Sequence, residues 1–451
     1  MNSENNTQAV YDVRTLGTGK TLVLGLQHLF AMFGATVLVP AITGLNVSTT
    51  LLFAGLGTLL FHLVTGRKVP AFLGSSFAFL GGYAAIAPVI DGVPSSDLLP
   101  YACFGVACAG LLYVVLAALF KAFGIKKVMK FFPPIVTGPI IIAIGLSLSG
   151  SAITNCATNW GIAVVAILVI LVTNIWGKGM IKIVPILLGV VASYLVAAIS
   201  GNVDFTAVKD AAWLGLPFAW QDTVFGLFSG EVDTGLLITS VITIAPLSIA
   251  TMTEHIGDMC AISSTCERNY LEDPGFHRTL LGDGLATTLA SLFGAPANTT
   301  YGENTGVLAL SKVYDPRVIR IAAYFAIVFS FCPKFAALIS AMPAATIGGV
   351  SLVLYGMISA VGVRNVVENK VDFTNTRNVI IAALILVLGI GVSYSGNITI
   401  PIGNVTFTLT GLAVAAIVGI VLNAVLPGKD YEFGKDPQGD TSVNFHVGGE
   451  K

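Results

Sequence analysis

Glu254, Asp258 and Glu303 are acids that stand inside otherwise apolar stretches of this chain. In a lipid-spanning segment an ionised side chain costs about 2.5–3.5 kcal/mol or more, so each marks a substrate or ion path by default. Glu254 and Asp258 are four residues apart and share one helix face. His255 points about 100° away from that face. His28, Asp283 and His255 are the other ionisable groups within apolar runs, with His62 near a run's end. His28 is expected to face the protein interior, as a hydrogen-bonding residue or a proton relay. Asp283, between Gly282 and Gly284, suits a structural cap or a water contact. Glu254, His255 and Asp258 do not make a metal site, because adjacent helical residues diverge and no HExxH is present. No Walker A sequence supports ATP-driven work, and no serine–histidine–acid arrangement accompanies the acids, so an enzyme is not expected.

Two irregular segments supply the rest of a pocket. One reads Pro70-Ala71-Phe72-Leu73-Gly74-Ser75-Ser76-Phe77, the other Pro296-Ala297-Asn298-Thr299-Thr300-Tyr301-Gly302-Glu303. Each begins extended after a proline and passes through small hydroxyl residues, which are helix-start signals. A short extended stretch followed by a half-helix is expected in both. Backbone groups freed there cannot face lipid and must face protein or a cavity. The half-helix N-termini then offer N–H donors near the bilayer centre. Phe77 and Glu303 each lie seven residues after their proline and are expected to face one another across one pocket. A phenyl face stacks on a flat ring, carboxylates accept ring N–H groups, and backbone N–H groups donate to ring carbonyls. The complementary ligand is a small planar heterocycle with alternating N–H and C=O, such as uracil. An inorganic anion is excluded by the acids, and an alkali cation leaves Phe77 unexplained.

The elements that position these residues follow from composition. The 451-residue chain is 55% hydrophobic and only 10% charged, with mean hydropathy +0.85. Soluble domains carry roughly 25% charged residues. A soluble enzyme, a disordered chain and a nucleic-acid binder are thereby excluded, and an all-α integral membrane protein remains. The six cysteines lack a CxxC pair and read as buried packing residues. A spanning helix needs about 20 apolar residues. Eleven clean candidates are 21–42, 47–66, 100–120, 134–150, 160–176, 181–200, 235–256, 317–332, 343–363, 377–395 and 409–427, with weaker ones at 70–86, 279–294 and 303–313. With fourteen spans and an inside N-terminus, 21 Lys/Arg fall inside and only Lys209 and Lys334 outside, a strong positive-inside signal. Both termini are then cytosolic. The polar first 19 residues do not resemble a signal peptide, so the first apolar segment is expected to direct insertion. The aromatic-rich outside loop 201–234 suits an interfacial segment, with a binding lid as the alternative.

Gln27-His28 resembles Glu254-His255 after 227 residues, and Pro70-Ala71 resembles Pro296-Ala297 after 226. Two halves of seven spans enter the membrane from opposite sides, so the repeat is inverted, with spans 3 and 10 broken. That pattern points to a secondary transporter with its site at the repeat interface.

Gln27-His28, Phe33 to Thr36, Gly74 to Phe79, Glu254 to Gly257 and the run Asn298 to Gly306 (NTTYGENTG) resemble the nucleobase–ascorbate transporter family, above all its bacterial uracil:proton symporters. The resemblance covers about 20–427. It implies a core of spans 1–4 and 8–11 and a gate of spans 5–7 and 12–14, moving like an elevator, commonly in a homodimer. The corresponding boundaries are a cytosolic tail 1–19, core 20–122, gate 123–200, an extracellular loop 201–234, core 235–335, gate 336–427 and a cytosolic tail 428–451. By position, Glu254 and Glu303 would hydrogen-bond the base, Phe77 and Gly302 would donate backbone N–H groups, and Ala35 and Tyr301 would line the pocket. Asn304 falls within the signature run, and Tyr355 is carried over on the gate side. Asp258 stands where a uracil member has a proton-coupling histidine, so Glu254, Asp258, Glu303 and His28 are the candidates for proton coupling. Ser311-Lys312 departs from Thr-Arg outside the pocket. Purine-transporting members often have Gln in place of Glu303. The expected activity is proton-coupled uracil uptake across a bacterial cytoplasmic membrane, with H+ as coupling ion and no other cofactor. The alternatives are a xanthine or oxopurine symporter, an anion exchanger or a facilitative channel.

Overall fold

A computed structural model of the chain describes residues 9–90, 93–402 and 405–431. Tail residues 1–8 and 432–451, with Glu4, Lys435 and Lys451 of the charge pattern, lie outside the described residues. Sixteen helices carry the architecture discussed below. In chain order they and the short strands are α1 (Thr18–Thr43), α2 (Val47–Val64), β1 (Leu73–Ser75), α3 (Leu80–Ile86), β2 (Val89–Ile90), β3 (Val93–Pro94), α4 (Leu99–Phe123), α5 (Pro134–Ala157), α6 (Trp160–Trp176) and α7 (Pro185–Ile199). There follow α8 (Thr234–Ile244), α9 (Ser248–Cys266), α10 (Phe276–Leu292), β4 (Asn298–Thr300), α11 (Gly302–Ser311), α12 (Pro316–Ser330), α13 (Pro333–Ser340), α14 (Ala344–Glu368), α15 (Thr376–Tyr394), β5 (Ile398–Ile402), β6 (Val405–Leu409) and α16 (Gly411–Val425).

Every apolar segment expected to span has a helix at its place. Among the described residues, seven stretches are long and apolar enough to cross a membrane alone: α1, α2, Ser96–Phe123, α5, Thr234–Cys266, α14 and α15. A bent pair, α12 with α13, adds an eighth, turning by 88°. α6, α7 and α16 are shorter apolar helices. The expected run 235–256 is interrupted at residues 245–247, where Pro246 removes a backbone donor and the helix tightens. Several helix starts are set by side-chain caps: Asn46, Asn159, Asp233 and Asp315 each accept a backbone N–H of the first turn. The hairpins β2–β3 and β5–β6 were not expected from the apolar pattern.

Two packed sets of helices emerge. α14 lies along α5, which also meets α15 and α16, while α6 packs on α7 and α14. In the other set α10 packs on α4 and α2, α12 on α2 and α1, and α8 on α4. Glycines set the closest approaches. A Cβ on Gly362 would lie 2.7 Å from the Gly138 carbonyl oxygen between α14 and α5, and one on Gly284 would lie 2.7 Å from that of Gly110 between α10 and α4. Such small-residue seams let membrane helices gain dispersion contact where the lipid offers no hydrophobic drive. The outside loop 201–234 forms short turns that keep Trp213, Trp220 and Phe228 exposed, while Phe218 and Phe225 pack on Phe293. Cys103, Cys156 and Cys266 are buried, Cys108, Cys260 and Cys332 partly so, and no disulfide joins them among the described residues.

Candidate substrate site

The two proline-led segments meet. β1 and β4 pair antiparallel, with Leu73 opposite Thr300, Gly74 opposite Thr299 and Ser75 opposite Asn298. The ladder is extended by Ser76 N–H to the Ala297 carbonyl (2.9 Å) and Tyr301 N–H to the Phe72 carbonyl (3.0 Å). Strands inside a membrane protein must satisfy their backbone from neighbours. Here Thr58 donates to the Leu73 carbonyl and accepts the Leu73 N–H, and the Asn298 amide donates to the Phe53 carbonyl at 2.8 Å. Ser75 Oγ donates to the Thr36 carbonyl at 2.9 Å, so it fastens the strand to α1 instead of capping a helix. Neither half-helix has the expected hydroxyl cap: α3 begins only at Leu80, and α11 begins directly after Tyr301, whose side chain makes no cap bond.

The pairing sets Phe77 and α11 at one cavity of about 670 Å³, a size typical of small-molecule sites. Phe77, Glu254, Asp258, Tyr301, Gly302 and Glu303 line it, together with Thr137, Ile141, Ile186, Leu354 and Ile358. The cavity runs on to Lys182, Arg364 and Tyr431. α9 packs beside α11, and a Cβ on Gly302 would lie 3.7 Å from Asp258 Oδ1. Helix geometry leaves the Gly302 N–H, the first of α11, without an intrahelical partner. Glu254, Asp258 and Glu303 are each partly exposed to the cavity. The Tyr301 hydroxyl donates to the Ser75 carbonyl at 2.9 Å, locking the two strands behind the site.

Other candidates fall outside the lining. Ala35 is fully buried, and Ala31, one turn earlier on α1, reaches the cavity in its place. Tyr355 is buried behind Phe77, ring edge to ring face at 5.9 Å. Asn304 donates to the His28 carbonyl at 3.0 Å and lies 3.2 Å from His28 Nδ1, joining α11 to α1 away from the cavity.

A buried pair stands behind the acids, and its partner was not legible in the sequence. His255 Nδ1 lies 3.2 Å from Asp283 Oδ2 and 3.1 Å from Thr300 Oγ1, with both ionisable side chains fully buried. Asp283 therefore meets α9 rather than capping its own helix. The only available signal was an acid in an apolar run with no local partner. Among the described residues no group of three or more His, Cys, Asp or Glu side chains is placed to hold a metal ion.

Residues 19–398 match the permease family. The chain is 42% identical over 430 residues to the uracil permease of Bacillus caldolyticus, covering 93% of this chain and 95% of that one. It is 38% identical to the uracil permease of Bacillus subtilis (94% and 95% covered) and 38% identical to the putative pyrimidine permease RutG of Escherichia coli (91% and 90%). Among solved structures, the transmembrane domain of the cyanobacterial bicarbonate transporter BicA superposes with TM-score 0.56 at 14% identity, over 91% of this chain and 98% of that one. SLC26A9 superposes with TM-score 0.64 at 12% identity, over 92% and 66%. These two likenesses concern the fold alone. Its sequence throughout, and the helices and broken strands that frame the site, make this chain a member of the permease family, a multi-pass membrane transporter and not an enzyme.

Proposed function

We propose that this protein imports uracil across a bacterial cytoplasmic membrane by proton symport. The observation that carries the reading is one cavity lined by Phe77, Glu254, Asp258, Gly302 and Glu303 together. Uracil is planar and presents N–H and C=O groups in alternation. Glu254 and Glu303 accept its N–H groups, the backbone N–H groups of Phe77 and Gly302 meet its carbonyls, and the Phe77 ring stacks on its face. Tyr301 and Tyr355 hold that arrangement from behind, and Asn304 with His28 fixes α11 against α1. The relatives named as uracil permeases support the choice of base.

Uracil is neutral at pH 7, so the driving proton must enter through the protein, and three acids in one cavity give it somewhere to ride. Fourteen crossings as an inverted seven-plus-seven repeat, with both termini cytosolic, account for the Lys/Arg pattern. The two packed helix sets support a division into core and gate, between which the cavity lies. In this orientation the cavity opens toward the cytosol past Lys182 and Arg364. Release inward followed by an elevator-like return of the core completes the cycle, in a homodimer.

Uracil binding to the purified protein tests the site. Wild type binds uracil, Glu254→Ala abolishes binding, and Glu303→Gln weakens it or shifts preference toward xanthine. Normal uracil affinity in both variants contradicts the assignment.

A further inference from the structure

We infer that the segment Val10 to Arg14 is a positioning clasp that fixes the Glu254/Asp258 helix against the Glu303 helix from their cytosolic ends. The inference rests on the site assigned above, and it concerns residues that nothing in that assignment uses. α9, which carries Glu254 and Asp258, ends at Cys266 with Glu267 in the left-handed conformation. α11, which carries Glu303, ends at Ser311 with Lys312 in the same conformation. The clasp grips both ends. The Tyr11 hydroxyl donates to the Cys266 carbonyl at 3.0 Å, one of the carbonyls a helix end leaves unpaired. The Arg268 guanidinium sits 4.3 Å from the centroid of the Tyr11 ring. On the other side Val10 forms a parallel bridge with Val313: its N–H donates to the Lys312 carbonyl and its carbonyl accepts the Tyr314 N–H, both at 2.8 Å. The Tyr11 and Tyr314 rings meet at 5.5 Å. Val13 is buried and its N–H donates to Asp315 Oδ2 at 2.8 Å, and Arg317 reaches Asp12 at 2.9 Å. Hydrogen bonds from Arg14 hold the Asp12 carboxyl well below the usual carboxylate range, so the ion pair with Arg317 persists at neutral pH.

No residue of the clasp lines the cavity. Its leverage is geometric. At about 1.5 Å per residue, the clasped ends lie roughly 12–14 Å from Asp258 and Glu303 along two rigid, adjacent helices. A small splay there displaces the carboxylates relative to one another, and misplacement of about 1 Å in a binding constellation is felt strongly.

The test is calorimetric uracil binding to the full-length protein, with wild type, Tyr11→Ala, Tyr11→Phe and Asp12→Asn. Tyr11→Ala raises Kd about tenfold or more, with unchanged binding stoichiometry. Tyr11→Phe, which keeps both ring contacts, recovers part of that loss, and Asp12→Asn weakens binding less than Tyr11→Ala. An unchanged Kd, or a fall in stoichiometry alone, overturns the clasp, because a purely structural role lowers the folded fraction and not the affinity of what remains. Wild-type protein that fails to bind uracil contradicts the site instead. Hydrogen exchange then decides the clasp without the ligand: Tyr11→Ala must release the amides around 262–266 and 308–312 together, and unchanged protection overturns it.

Discussion

Glu254 and Glu303 reach one cavity from different helices, and Asp258, one turn beyond Glu254, faces the side-chain-free Gly302. Behind them the His255–Asp283 pair carries a different burden. Removing one of two buried polar partners leaves the other unsatisfied, at a cost of about 1–3 kcal/mol, whereas replacing both with apolar groups of similar shape can be nearly neutral. His255→Leu and Asp283→Leu singly should therefore each lower the melting temperature markedly, and the double variant should cost less than either. A double variant whose loss equals the sum of the singles contradicts the pairing. The acids themselves were legible, since charge in an apolar run is conspicuous. Their partners were not: His255 and Asp283 are 28 residues apart, and only the packing of α9 on α10 brings them together. Ala35, carried over from the family resemblance, is buried on α1 one turn from Ala31, which lines the cavity.

At the scale of elements, the strand pair holds the site. Gly74 leaves no room for a side chain: a Cβ there would lie 2.6 Å from Thr36 Oγ1 and equally close to the Tyr301 ring. Gly74→Val forces β1 away from Tyr301, an overpacking worth about 1–3 kcal/mol. Uracil binding to Gly74→Val should be lost while Gly81→Ala, which meets nothing within 4 Å, binds normally. Equal affinity in the two variants contradicts the strand's role. The prolines at 70 and 296 made these breaks readable from sequence, and the spacing of the two segments anticipated their likeness. The 88° bend between α12 and α13, the interruption at Pro246 and the β5–β6 hairpin were not anticipated, because apolar content reports length in the membrane and not direction. The serines and threonines were read as caps, but strand pairing claimed their backbone and neighbouring carbonyls claimed hydroxyls such as that of Ser75.

For the whole molecule, the account requires the two helix sets to move past one another. Their contact is close at Gly34, where a Cβ would lie 2.6 Å from Ile186 Cγ2. Joining Gly34→Cys to Ile186→Cys by a disulfide should stop uptake until the bond is reduced. Undiminished uptake by the cross-linked protein contradicts relative motion at that seam. The most direct test of the central claim is uptake of radiolabelled uracil into proteoliposomes, with and without an imposed inward proton gradient. The account predicts accumulation above the outside concentration only when the gradient is present. Uracil that merely equilibrates at the same rate in both conditions contradicts proton symport.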